Sequence, residues 1–220
     1  MTTHSGTRTD TAPTARAGRY VLASRPLLGW RTVDILTIAF LGVAIGIAMW
    51  GWGILYNGPL TALGFTFRPA MGLFVGMWFL AGVVGGLVVR RPGAALACEV
   101  IAALASMLPG TEWGATVLIA GLLQGLGAEI GFAIFRYRSW GVVAAVTAGA
   151  LSAPLEWVYE IFTWFADWSL QWQLVYLVMM VISGAVIAGL GGLALVRALA
   201  RAGALDAFPP GQERRESRAV

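Results

Sequence analysis

The sequence predicts an all-α integral membrane protein, a six-transmembrane-helix bundle with both termini cytoplasmic. Three observations carry that expectation. Of the 220 residues, 58% are hydrophobic and only 12% charged, whereas soluble domains average about 25% charged. Six apolar segments follow one another, and all but one have the roughly 17–25 residues a spanning helix needs. With the N-terminus placed inside, fourteen of the fifteen arginines fall on the cytoplasmic side, and only Arg68 falls outside. This is the charge asymmetry that orients membrane helices.

Residues 1–30 are rich in Thr, Ala and Arg. They lack an apolar core followed by a small-residue cleavage site, so they are not read as a signal peptide. A disordered basic N-terminal tail near anionic headgroups is expected there. A transmembrane domain over 31–200 follows, with spans predicted at 34–55, 67–89, 94–108, 113–135, 141–163 and 171–196. The first carries Ala39, Gly42 and Gly46 at helical spacing, with Ala44 and Ala48 on a neighbouring strip. The second opens on Arg68-Pro69, and Arg68 is expected to pair with Asp167, Glu160 or Glu112, the alternative being an anionic group on a ligand. The third is short, and is therefore predicted to extend at its outer end or to lie inside the bundle. Gly121/Gly125 and Gly127/Gly131 in the fourth, and Ala185/Gly189 in the sixth, are further small-residue pairs that let helices approach closely in lipid. Pro154 is free to bend the fifth. Residues 201–220, ending FPPGQERRESRAV, read as a disordered charged tail.

Several chemistries are excluded. The chain has no lysine, so it lacks the residue with which a Walker A loop holds nucleotide phosphates. Any ATP-driven work requires a partner subunit. Cys98 and His4 are the lone cysteine and histidine, which rules out a disulfide within the chain and argues against a Cys/His metal site. No HExxH or GxSxG motif occurs, and the chain is read as a non-enzyme without a cofactor.

The candidate binding residues come from acids and aromatics. Leu155–Trp172, LEWVYEIFTWFADWSLQW, combines four tryptophans with Glu156, Glu160 and Asp167 and no cation. Glu156 and Glu160 are one turn apart and share a helix face. Trp157, Glu160 and Trp164 follow the same spacing, so carboxylates and indoles are predicted to meet in one outer cavity. Trp113 joins this outer aromatic group, while Trp168 and Trp172 read as interface anchors. Glu99 and Glu129 lie well inside their spans, where a charge costs several kcal/mol unless paired or hydrated. Each is either a functional carboxyl or a buried hydrogen-bond partner of Gln124 or a hydroxyl. An indole face attracts a cation, worth about 2 kcal/mol when desolvated, so the set suits a small aromatic ligand carrying positive charge or donor groups.

Four stretches bear a family resemblance: WRTVDI at Trp30–Ile35, FRPA at Phe67–Ala70, RRPGAALACE at Arg90–Glu99 and QGLGAEIGFA at Gln124–Ala133. With six helices and a small-residue ridge on the first, the chain resembles the substrate-binding (S) components of energy-coupling factor (ECF) vitamin transporters. Within these it is similar to the YkoE family, associated with thiamine or its hydroxymethylpyrimidine (HMP) moiety. The resemblance covers about residues 30–200. It implies a capture subunit in a prokaryotic cell membrane, delivering vitamin to a transmembrane coupling protein (T component) and two ATPases. It also implies docking of the coupling protein on Ala39, Gly42 and Gly46, and a gate at Asn57–Thr66. The aminopyrimidine would bond a carboxylate among Glu99, Glu129, Glu156 and Glu160, with Gln124 assisting and the thiazolium against tryptophan. A proton-coupled exporter of aromatic cations using Glu99 and Glu129, and a non-transporting scaffold, are the alternatives.

Overall fold

The computed structural model describes residues 28–63 and 67–219. The tail expected at 1–30 therefore lies outside the described residues up to 27, as do Gly64–Thr66 of the expected gate. Each of the six predicted segments is helical: α1 (Thr32–Leu60), α2 (Arg68–Val89), α3 (Ala94–Met107), α4 (Gly114–Ile134), α5 (Val142–Thr163) and α6 (Leu170–Arg201). All but α3 are long and apolar enough to cross a membrane. The protein is an all-helical membrane protein.

The centre of the bundle is α2. In its most apolar stretch 72% of residues are buried, against 33–39% in the other long helices. Ala81 to Val89 is buried without interruption, the pattern of a helix with neighbours on every side. Its first half, Arg68–Phe79, is wound as a 3-10 helix and only Leu80–Val89 as an α-helix. At about 2.0 Å rise per residue instead of 1.5, the first half is stretched by roughly a third. Contact with α6 accompanies this. A Cβ on Gly76 would stand 2.3 Å from the Ser183 carbonyl oxygen. The Gly76 N–H donates to the Ser183 hydroxyl (2.8 Å), which in turn donates to the Leu73 carbonyl (2.7 Å). The serine thus bridges two ladder positions three residues apart.

α3 is short because it lies inside. It packs between α1, α2 and α4 and buries Ala94, Ala95, Cys98, Glu99 and Ala102. This corrects the assignment of Gly42 and Gly46 to an external partner. A Cβ on Gly42 would meet Ile101 Cγ2 at 2.7 Å, and one on Gly46 the Ala102 carbonyl oxygen at 2.4 Å. Both glycines serve the α1–α3 crossing. Ala39 is half-buried, whereas Ala44 and Ala48 are exposed.

The C-terminal residues also depart from expectation. Instead of a disordered tail, Pro209–Ala219 forms a further helix, α7. Its approach buries Leu205 and Phe208. The Arg90 guanidinium pairs with both Glu213 oxygens (Nη2–Oε2 2.9 Å), and Arg31 reaches the Ala207 carbonyl (3.4 Å) and the face of Phe208 (5.6 Å). At the start of α1, Asp34 accepts from the Arg31 amide (2.9 Å) and guanidinium (2.6 Å), with Arg91 at 3.8 Å. These contacts gather Arg31, Arg90, Arg91 and α7 at one end of the bundle, here the arginine end. The opposite, aromatic end carries Trp113 and Trp164.

Glycine-mediated crossings are the main packing device, the closest being Gly149 on Gly184, where an added Cβ would lie 2.2 Å from the partner's carbonyl oxygen. Gly149→Val is expected to cost about 1–3 kcal/mol through overpacking and to lower the melting temperature in detergent by several degrees. Gly51→Ala, with nothing within 4 Å of the new methyl, leaves the melting temperature unchanged or slightly raised. Equal effects of the two would contradict this packing account.

Candidate ligand-binding site

A cavity of about 430 Å³ opens at the aromatic end and reaches the middle of the bundle. Its polar depth comes from three helices: Glu99 on α3, Gln124 on α4, and Glu156 and Glu160 on α5. Glu99 is 1% exposed and Glu156 4%. The Glu99 Oε2 atom accepts from the Gly82 N–H at 2.5 Å, an approach that the missing side chain of Gly82 permits. Glu156 faces Gln124, and the Tyr56 and Tyr176 hydroxyls flank Glu160. One oxygen of each acid (Glu99 Oε1, Glu156 Oε2, Glu160 Oε2) is buried with no hydrogen-bond partner. A buried acceptor left open costs about 1–3 kcal/mol, more if charged. Three of them around one space therefore call for a ligand that brings several N–H or O–H donors, or a positive charge.

The walls are aromatic. Trp78 stands edge-on to Trp113 (5.5 Å, 83°) and to Tyr56 (4.9 Å, 84°). On another wall Phe165 packs on Trp168 (4.4 Å, 37°) beside Trp164. The stretched half of α2 presents Arg68, Met71, Val75 and Trp78 to the cavity, and the wide π-turn that ends α1, with Pro59 inside it, presents Tyr56 and Asn57. Among the described residues Arg68 is the one cation lining the cavity, and it is exposed. Among the described residues it forms no salt bridge with Asp167, Glu160 or Glu112, contrary to expectation.

Of the residues singled out from sequence, the cavity gathers Glu99, Gln124, Glu156, Glu160, Trp113 and Trp164. It leaves out Trp157 and Glu129. Trp157 lies about 100° round the helix from Glu156, and its indole N–H ties α5 to the Gln173 carbonyl of α6 (2.9 Å). Glu129 sits at the arginine end, accepting from the amides of Gly93 (2.7 Å), Ala95 (3.1 Å) and Leu96 (3.3 Å) and from the Tyr137 hydroxyl (2.7 Å). It satisfies the otherwise orphaned donors at the start of α3, where a negative charge also meets the positive end of the helix dipole. Burial, and then the bond to Glu129, raise the Tyr137 phenol above its ordinary range and keep it a donor. The signal for this role was present: α3 begins Gly93-Ala94-Ala95 with no Ser, Thr, Asp or Asn to cap it.

Sequence reasoning missed Trp78, Met71 and Val75, and assigned Trp168 to anchoring although it lines the cavity. Trp172 packs outside it against Trp168 (5.8 Å) and Phe67 (6.3 Å). Trp78 had a readable sign, since it falls mid-span, where an interface belt does not place tryptophan.

Residues 33–155 match the family described as ABC-type cobalt transport system, permease component. Over 191 residues the chain is 32% identical to the "Putative HMP/thiamine permease protein YkoE" of Bacillus subtilis (strain 168), covering 86% of this chain and 94% of that protein. A crystal structure of an S-component of an ECF transporter superposes with a TM-score of 0.81 at 31% identity, covering 87% of this chain and 96% of the other.

Glu129→Ala strands three amides and a phenol and is expected to cost about 2–3 kcal/mol of stability, as for hydrogen bonds to a charged group. Thermal melting in detergent should show the loss, while ligand affinity per folded molecule holds. A loss of affinity with unchanged melting would instead place Glu129 in the site.

Proposed function

This chain belongs to the ECF-transporter S-components, in the YkoE-like family, and from that premise we propose that its cavity captures HMP or thiamine from the outer face for ATP-driven uptake. The observation that carries the reading is the convergence of three open carboxyl oxygens inside an aromatic cage. An aminopyrimidine offers the complementary edge: an exocyclic amine and, when protonated, an adjacent ring N–H. These donate to one carboxylate in parallel, as charge-assisted bonds roughly twice as strong as neutral ones. Glu156 or Glu160 serves as that acceptor, with Gln124 beside it and Glu99 closing the floor. A cationic thiazolium is held against an indole face.

Among the described residues, no group of three or more His, Cys, Asp or Glu side chains is arranged to hold a metal ion. The cavity's aromatic walls and its three carboxyl groups favour an organic cation.

ECF S-components work with a coupling protein and ATPases, and two ATPases are proposed here. The arginine end faces the cytoplasm, by the distribution of arginine. Because Gly42 and Gly46 are occupied by α3, the coupling protein docks instead on the exposed Ala44/Ala48 strip of α1. The exporter reading needed both Glu99 and Glu129 as exchangeable carboxyls. The four donors on Glu129, away from the cavity, remove the second of them from the path.

Tryptophan fluorescence of the purified protein should respond to both HMP and thiamine and saturate. Glu156→Gln should weaken binding at least tenfold, about 1.4 kcal/mol, without lowering the melting temperature. A wild-type protein silent to both ligands, and responding to another vitamin, would overturn the ligand assignment.

A further inference from the structure

Next to the main cavity lies a second chamber of about 300 Å³, between the end of α1 and the turn joining α3 to α4. Six residues belong to the walls of both, Met49, Asn57, Trp78, Ser106, Trp113 and Val117, and the Trp78 and Trp113 rings are the largest side chains of this shared partition. Trp113 is carried on a turn between Gly110 (φ 93°) and Gly114 (φ 56°), left-handed positions suited to glycine. The turn is fastened to α1 where the Trp50 indole N–H donates to the Gly110 carbonyl at 3.1 Å. Opposite the Trp113 ring stands Gly53, buried on α1, where an added Cβ would lie 3.3 Å from Trp113 Cζ3. A larger residue there would fill the chamber and push the ring.

The chamber's chemistry is selective. Thr111 offers a neutral hydrogen-bonding group and Glu112 a carboxylate that line only this chamber, Asn57 and Ser106 are shared with the main cavity, and among the described residues no arginine lines the chamber; Arg68 lines only the main cavity. Such a lining accepts a cationic ring or a hydroxyalkyl arm. It opposes a phosphate, which would meet Glu112 with no compensating cation.

We propose that this chamber is a second subsite that receives the cationic second ring and hydroxyl arm of a two-ring ligand, and that Trp113, backed by Gly53, is the partition that sets how long a ligand is accepted. The proposal rests on the reading of the main cavity as an aminopyrimidine site. On that reading a single-ring ligand occupies the main cavity alone. A two-ring ligand also enters the chamber along the Trp113 face, where its charge gains from the indole.

The test is calorimetric titration of full-length protein with HMP, thiamine and thiamine monophosphate, comparing wild type with Gly53→Leu and Glu112→Arg. Because Trp113 also walls the main cavity, Gly53→Leu should weaken thiamine at least tenfold more than it weakens HMP. Glu112 is exposed, so the fold tolerates its replacement. Glu112→Arg should leave HMP within threefold and raise the affinity for the monophosphate relative to thiamine at least tenfold. Should Gly53→Leu fail to fold, Glu112→Arg decides alone. Wild type binding HMP and thiamine, with the ratios among the three ligands unchanged in the folded variants, overturns the subsite and leaves the proposed function standing. Wild type binding neither overturns the proposed function, and this inference with it.

Discussion

Three carboxyl groups facing one cavity inside a membrane bundle, with no salt-bridge partner among the described residues, set the terms for the rest of the molecule. Glu99, Glu156 and Glu160 come from two helices and meet around one cavity. Charge at such depth is expensive unless it is solvated by something. The protein supplies part of that solvation through the Gly82 amide bonded to Glu99, while Gln124 stands near Glu156 and the Tyr56 and Tyr176 hydroxyls near Glu160. One oxygen on each acid stays open. The fold holds a polar deficit at the place where a ligand rich in donors would make it good.

Holding that deficit in place requires rigid helix spacing, and the sequence achieves it with small residues. Gly42 and Gly46 bring α1 onto α3, Gly121 and Gly125 bring α4 onto α3, and Gly149 meets Gly184 between α5 and α6. α3, which carries Glu99, is thereby held from both sides, and its first turn is capped by Glu129 from α4. The stretched first half of α2, bridged to α6 through Ser183, turns Trp78 into the cavity wall. At the far end α7 closes over the bundle through Arg31 and Arg90, which also lies over the Trp140 ring at 5.6 Å. Packing and site are thus one arrangement: the same crossings that exclude lipid set the distances between the acids.

Much of this was legible in the sequence. Apolar segment lengths located all six elements, five long and one short, and the shortness of the third left two readings, an outward extension or an interior position, of which the structure shows the second. Helical spacing grouped Glu156 with Glu160, and the aromatic excess pointed to the end at which the cavity opens. The unread parts share a physical cause: they depend on what a residue faces, which periodicity in an almost uniformly apolar helix does not reveal. Gly42 and Gly46 look alike whether they meet α3 or a partner subunit. Glu129 looks like Glu99 until the uncapped start of α3 is placed beside it. The 3-10 winding of α2 depends on contact with α6, far away in sequence. The C-terminal helix has a composition typical of disorder, and its order comes from Leu205, Phe208 and the Arg90–Glu213 pair docking on the bundle.

The most direct test of the central claim is an experimental structure of the protein bound to HMP. The account predicts the pyrimidine within the cage of Tyr56, Trp78 and Trp113, its amino group within hydrogen-bond distance of a carboxyl oxygen of Glu99, Glu156 or Glu160. Ligand bound with all three of these carboxyls untouched, or seated at the arginine end beside Glu129, would contradict it.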